Sequence, residues 1–134
     1  EEFARASAAA TRAMELDPPL ALEWMPLWRR IGEAFLARAG ADLEGASSQA
    51  IKSTSLRSYL FDPSVLFLAA EHLVATGRAL DSLPILLNLS QLAPRLAPAQ
   101  RLRARASAAL GHHARAVKAF QDYLELVPED RSAW

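Results

Sequence analysis

The chain has 134 residues, enough for one compact domain or a short repeat array with a sizeable core. Fifteen Lys and Arg balance fifteen Asp and Glu, so the overall basicity of a dedicated nucleic-acid binder is missing. The absence of cysteine excludes disulfides, thiolate zinc sites and cysteine nucleophiles, and it suits cytoplasm and periplasm alike.

Ala, Leu, Arg and Glu dominate while Val, Ile and Thr are scarce, so the elements are predicted to be helical throughout. Residues 1–18 end in "ASAAATRAMELDP", which has the spacing of a helix stopped by Pro18. Residues 19–62 read as an irregular or extended helical pair, opened by "DPPLALEWMP" as an irregular connector. Its first helix holds "WRRIGEAF", Trp28 to Phe35. Its second, "LEGASSQAIKSTSLRSYL", carries Gly45, several serines and Lys52, the last near where a large apolar residue is wanted. Trp24, Met25 and Trp28 are expected to pack into the core. Residues 63–96 form the next pair, started by Asp62 before Pro63. Residues 97–130 form another, with helices over 98–110 and 113–127. Leu102, Ala106 and Leu110 make one apolar stripe; Ala116, Phe120 and Leu124 make the other. Gly111 closes the first of these helices, Pro128 stops the second, and Phe120 is predicted to be the large buried plug. Residues 131–134 begin a further helix. The sum is an all-α chain of about seven helices.

The last two pairs are in register at an offset of 34. Pro94 falls on Pro128, Gly77 on Gly111, Ala70 on Ala104, Leu92 on Leu126 and Leu86 on Phe120. Matches at glycine, proline, small and large apolar positions with one offset mark an internal repeat. Partial units at both ends suggest a piece of a longer array, or capping helices. Their apolar faces are open to self-association.

The residues that repeat resemble the tetratricopeptide repeat (TPR) family, a 34-residue helix-turn-helix. "WRRIGEAF" matches the family's first helix, with Ile31 in its Leu slot and Gly32 beside it. Trp134 stands in the Trp slot. Ala116, Phe120, Leu126 and Pro128 match the second helix, with Tyr123 in a usually small slot. The resemblance implies a right-handed α-solenoid of antiparallel helix pairs whose first helices line a concave wall. It places Arg29, Glu33, Phe67, Glu71, Arg101 and Arg105 on that wall, a mixture of charge that suits an extended peptide or a partner helix. The Lys and Asn with which some family members clamp a peptide carboxylate are replaced here by Arg, Glu and Phe, so a chaperone-tail ligand is not expected.

No acidic residue occurs from Ser82 through Gln121, a stretch that holds Arg95, Arg101, Arg103, Arg105, Arg115 and Lys118. Such a patch suits an acidic peptide, unless carboxylates of neighbouring helices balance it. His112 and His113 follow Gly111 at a turn and do not share a helix face, so they are read as solvent-side residues and not as ligands or catalysts. No phosphate loop, paired carboxylates or nucleophile–base motif appears, and no cofactor or metal is expected. No apolar run is long enough to span a bilayer. The chain starts "EEFARASAAA", without Met or a visible signal peptide. The Ala, Arg and Leu bias is that of a GC-rich bacterial coding sequence. The reading is therefore a non-catalytic protein-interaction scaffold. The alternative is a regulatory or assembly segment of a larger chain, such as a transferase or a bacterial envelope or secretion factor.

Overall fold

The computed structural model describes residues 2–52 and 62–130. Among them are seven α-helices, one 3-10 turn and no strand. The helices are α1 (Glu2–Leu16), α2 (Ala21–Arg38), α3 (Leu43–Lys52), α4 (Pro63–Ala75), α5 (Ala79–Leu92), α6 (Ala97–Ala109) and α7 (His113–Leu126). The environment expected for the Lys52 side chain, the second half of the serine-rich helix and the helix start at 131–134 all lie outside the described residues.

Local chain chemistry sets the boundaries. Asp62 caps α4 by accepting the Ser64 N–H at 2.9 Å, and Pro63 occupies the first turn, where its missing N–H costs nothing. Gly40, Gly77 and Gly111 end α2, α4 and α6 with φ of 66°, 77° and 74°, the left-handed conformation that closes a helix. The same two hydrogen bonds recur at each: Gly40 N–H to Ala37 O and Ala41 N–H to Leu36 O, Gly77 to Val74 and Arg78 to Leu73, Gly111 to Ala108 and His112 to Ser107. The ends of α1, α5 and α7 repeat as closely. Asp17, Ala93 and Val127, each before a proline, donate to Ala13, Leu89 and Tyr123, and have φ of −137°, −143° and −132°.

Residues 17–26 are not the irregular connector expected from their prolines. One 3-10 turn, Pro18–Leu20, is enough, and α2 starts at Ala21 and runs straight through Pro26. Pro26 is the sixth residue of α2, so only one helical hydrogen bond, to the Leu22 carbonyl, is forfeited at an exposed position.

The core is built around α4, which packs against α1, α2, α3, α5 and α6. Ser64 through Ala70 are buried without a break, as expected of a helix covered on all sides. Trp28 of α2 is fully buried. Its ring lies 5.0 Å from that of Phe67, and its indole N–H donates to Thr11 Oγ1 of α1 at 3.0 Å, so the one polar atom of a large apolar side chain is satisfied. Trp24, expected in the core with it, is 37% exposed. α2 approaches α4 at Gly32, where an added Cβ would stand 2.7 Å from Leu68 Cδ1 and 3.2 Å from the Ser64 carbonyl oxygen.

α6 and α7 form the last antiparallel pair. The buried stripe of α7 is Ala116, Ala119, Tyr123 and Val127, not the expected Ala116, Phe120 and Leu124. Phe120 is half-buried and Tyr123 is the fully buried plug. The stripe follows i, i+3, i+7 and turns toward Tyr123 because the phenol has a partner at hand: its hydroxyl donates to Asp130, just beyond the helix.

Candidate functional site

Three helices, α2, α4 and α6, meet along a small cleft. α2 contributes Leu22, Met25 and Arg29 at i, i+3, i+7. α4 contributes Phe67 and Glu71 at i, i+4. α6 contributes Pro98, Arg101, Leu102 and Arg105. Five of the six residues expected on the concave wall thus line one cleft: Arg29, Phe67, Glu71, Arg101 and Arg105. Phe67 and Glu71 stand 34 positions before Arg101 and Arg105, so equivalent places on successive helices face one space. Glu33, the sixth, is exposed outside the lining, though close enough to Arg29 to favour its charged form. Phe67 departs from expectation in another way. It is only 3% exposed, so it forms the floor and offers no open aromatic face.

Charge in the cleft is unevenly satisfied. Arg29 makes a bidentate pair with Glu71 through both terminal nitrogens, and its guanidinium carbon lies 5.5 Å from the centre of the Phe67 ring. The hydrogen bond to Glu71 raises the Arg29 pKa still further, so the guanidinium keeps its charge beside its partner. Arg101 and Arg105 take part in none of the ion pairs found among the described residues. Arg101 Nε is buried and has no hydrogen-bond partner. Both guanidiniums act on the Tyr123 phenol behind them. Burial and then the bond to Asp130 push that phenol up to about 12, and the two arginines pull the other way. Tyr123 is therefore a neutral hydrogen-bond donor at ordinary pH and supplies no negative charge to Arg101.

The cleft has a volume of about 50 Å³. A water's share of liquid volume is about 30 Å³, so there is room for one carboxylate head and not for a drug-sized ligand. What the arrangement can do chemically is bind an anion: two unpaired guanidiniums, one with an orphaned buried N–H, beside an apolar floor.

Leu22, Met25, Pro98 and Leu102 were not expected on this wall from the sequence. Leu22, Met25 and Arg29 do share a helical face, but Pro26 hid it by suggesting a connector. Elsewhere, His112 and His113 are exposed at the α6–α7 turn, where the His112 N–H donates to Ser107 O at 2.9 Å. His72, isolated in sequence, meets Glu44 of α3: His72 Nε2 lies 2.6 Å from Glu44 Oε2. Arg78 grips the same carboxylate at 2.7 Å through each terminal nitrogen. No three His, Asp or Glu side chains gather to hold a metal ion among the described residues, and no helix there is long and apolar enough to cross a membrane.

No family model matches the chain, and no curated protein or solved structure matches it. The reading of function therefore rests on the geometry of the chain itself.

Proposed function

We propose that this chain is a short TPR-like right-handed superhelix that acts as a non-catalytic protein-interaction module. An acidic side chain or chain end of a peptide docks between Arg101 and Arg105, with its neighbours laid along Leu22, Met25 and Leu102. The observation that carries this reading is that Arg101 and Arg105 line a cleft of carboxylate size and stand outside every ion pair found among the described residues. A carboxylate fits the planar fork of Arg bidentately. The repeated helix ends support the solenoid part of the reading, because identical caps at an offset of 34 give successive pairs the same turn geometry.

The reading is tested with an array of peptides carrying Glu or Asp in apolar surroundings, each beside its Gln or Asn counterpart. Wild-type chain is expected to bind acidic members at least about tenfold better than their amide partners, and Arg101→Ala/Arg105→Ala to lose that difference. Equal binding of both sets by the wild type, or an unchanged preference in the double variant, contradicts it.

A further inference from the structure

α5 carries apolar side chains beyond those the core buries. Ser82, Ile85, Leu86 and Leu89 are buried, with Ala79 at the start. Away from these, Leu80 and Leu87 are 63% and 55% exposed, and Leu83, between them at i+3, is partly buried with one edge packed against the core. Beside this stripe runs a groove of about 650 Å³, with α5 and α7 as its walls and Ser107 of α6 at its base. It is more than ten times larger than the α2–α4–α6 cleft and lies in the range of about 300–1,000 Å³ typical of ligand sites. Leu83, Leu86, Leu87 and Ala119 supply its apolar lining. Arg103, Arg115 and Lys118 supply charge, against the single carboxylate of Asp122. Lys118 engages Asp122 at 2.7 Å, which leaves Arg103 and Arg115, both exposed, outside the ion pairs found among the described residues. The carboxylate-free stretch from Ser82 to Gln121 forms most of this surface; the acids near it, Asp122 and Glu125, act on Lys118.

We propose that the α5–α7 groove is a second docking surface, independent of the cleft at Arg101, and that its occupant is an acidic amphipathic helix of a partner protein. The helical spacing of Leu80, Leu83 and Leu87 matches a partner whose apolar residues also recur at i, i+3 and i+7. The cations select Glu or Asp on the flanks of that helix. A second copy of this chain is the poorer occupant. In a two-fold contact the same patch meets itself, and Arg103 and Arg115 would face their own equivalents. A nucleic acid would find leucines in place of the aromatic platforms on which bases stack.

The test is selection from a displayed library of helical peptides, with Leu fixed at i, i+3 and i+7 and the flanks varied among Glu, Gln and Lys. The 134-residue chain is the bait, and the selected peptides are then titrated. Glu-flanked helices are expected to be enriched. Leu87→Glu, at a position exposed enough to leave the fold intact by circular dichroism, is expected to weaken them by at least about tenfold. Arg103→Ala/Arg115→Ala should weaken them and flatten their salt dependence, while Arg101→Ala/Arg105→Ala leaves them unchanged. Recovery of no helix, of Gln- or Lys-flanked helices, or of binders indifferent to Leu87→Glu overturns the proposal. So does a dimer of the free chain, seen by sedimentation, that Leu87→Glu dissolves, since the occupant is then a second copy.

Discussion

The side chain that holds the last helix pair together is Tyr123, and its neighbour Phe120 is only half covered. Replacing a fully buried aromatic by Ala costs about 3–5 kcal/mol. Urea unfolding is expected to place Tyr123→Ala in that range and Phe120→Ala at roughly 1–2 kcal/mol, in keeping with a partial loss of buried area. The reverse order would contradict the packing. Sequence pattern alone favours Phe120, because it falls on Leu86 at the repeat offset and because a phenol needs a buried partner. That partner, Asp130, lies after Pro128, and helical periodicity does not reach across a proline. Arg101 makes a second point at this scale. Its Nε is buried and has no hydrogen-bond partner among the described residues, which is a cost to the fold. Arg101→Leu is therefore expected to raise stability by about 1 kcal/mol while acidic-peptide binding is lost, the usual opposition of stability and function at a binding site. A loss of stability in the same denaturation experiment would show that Arg101 serves the fold.

Between elements, two contacts fix how α2 and α3 sit on α4. At Gly32 the helices are so close that a methyl group meets Leu68 at 2.7 Å and the Ser64 backbone oxygen at 3.2 Å. The side chain of Leu68 has some freedom and the backbone has little, so Gly32→Ala is expected to destabilise by about 1–3 kcal/mol, the usual range for overpacking. A neutral or stabilising effect, as at an ordinary helical glycine, would contradict the close approach. The other contact is Glu44 of α3, held by Arg78 and His72. Hydrogen bonds first from Arg78 and then from His72 lower the Glu44 carboxyl to about 2. A depressed carboxyl pKa means that this link is complete above the ordinary carboxylate range, near 4.3, and fades as the pH falls toward 2. A carbon-detected titration should put the Glu44 midpoint near 2 in the wild type and return it toward the ordinary range in Arg78→Ala. An ordinary midpoint in the wild type would contradict the link. Neither contact is visible in sequence as a pair. Gly32 is visible as a position, through its place in "WRRIGEAF". Glu44 and Arg78, however, are brought together by the α3–α4 packing, which no local spacing encodes.

Across the whole molecule, helical content was legible because propensity and apolar period agree, and the turns were legible because glycine and proline mark them. The grouping of Arg29, Phe67, Glu71, Arg101 and Arg105 was legible through their repeat positions, since equivalent places on stacked helices face one space. What was not legible is how charge divides within that group. The sequence shows three arginines and one glutamate. Only the folded chain pairs Arg29 with Glu71 and leaves Arg101 and Arg105 to act on something else. Affinity capture from native lysate tests that division directly. Wild-type chain, Arg101→Ala/Arg105→Ala and Leu87→Glu serve as parallel baits. The expected result is a protein that the wild type and Leu87→Glu capture, that the double arginine variant loses, and that rising salt releases. A protein held equally by the wild type and the double arginine variant would contradict it.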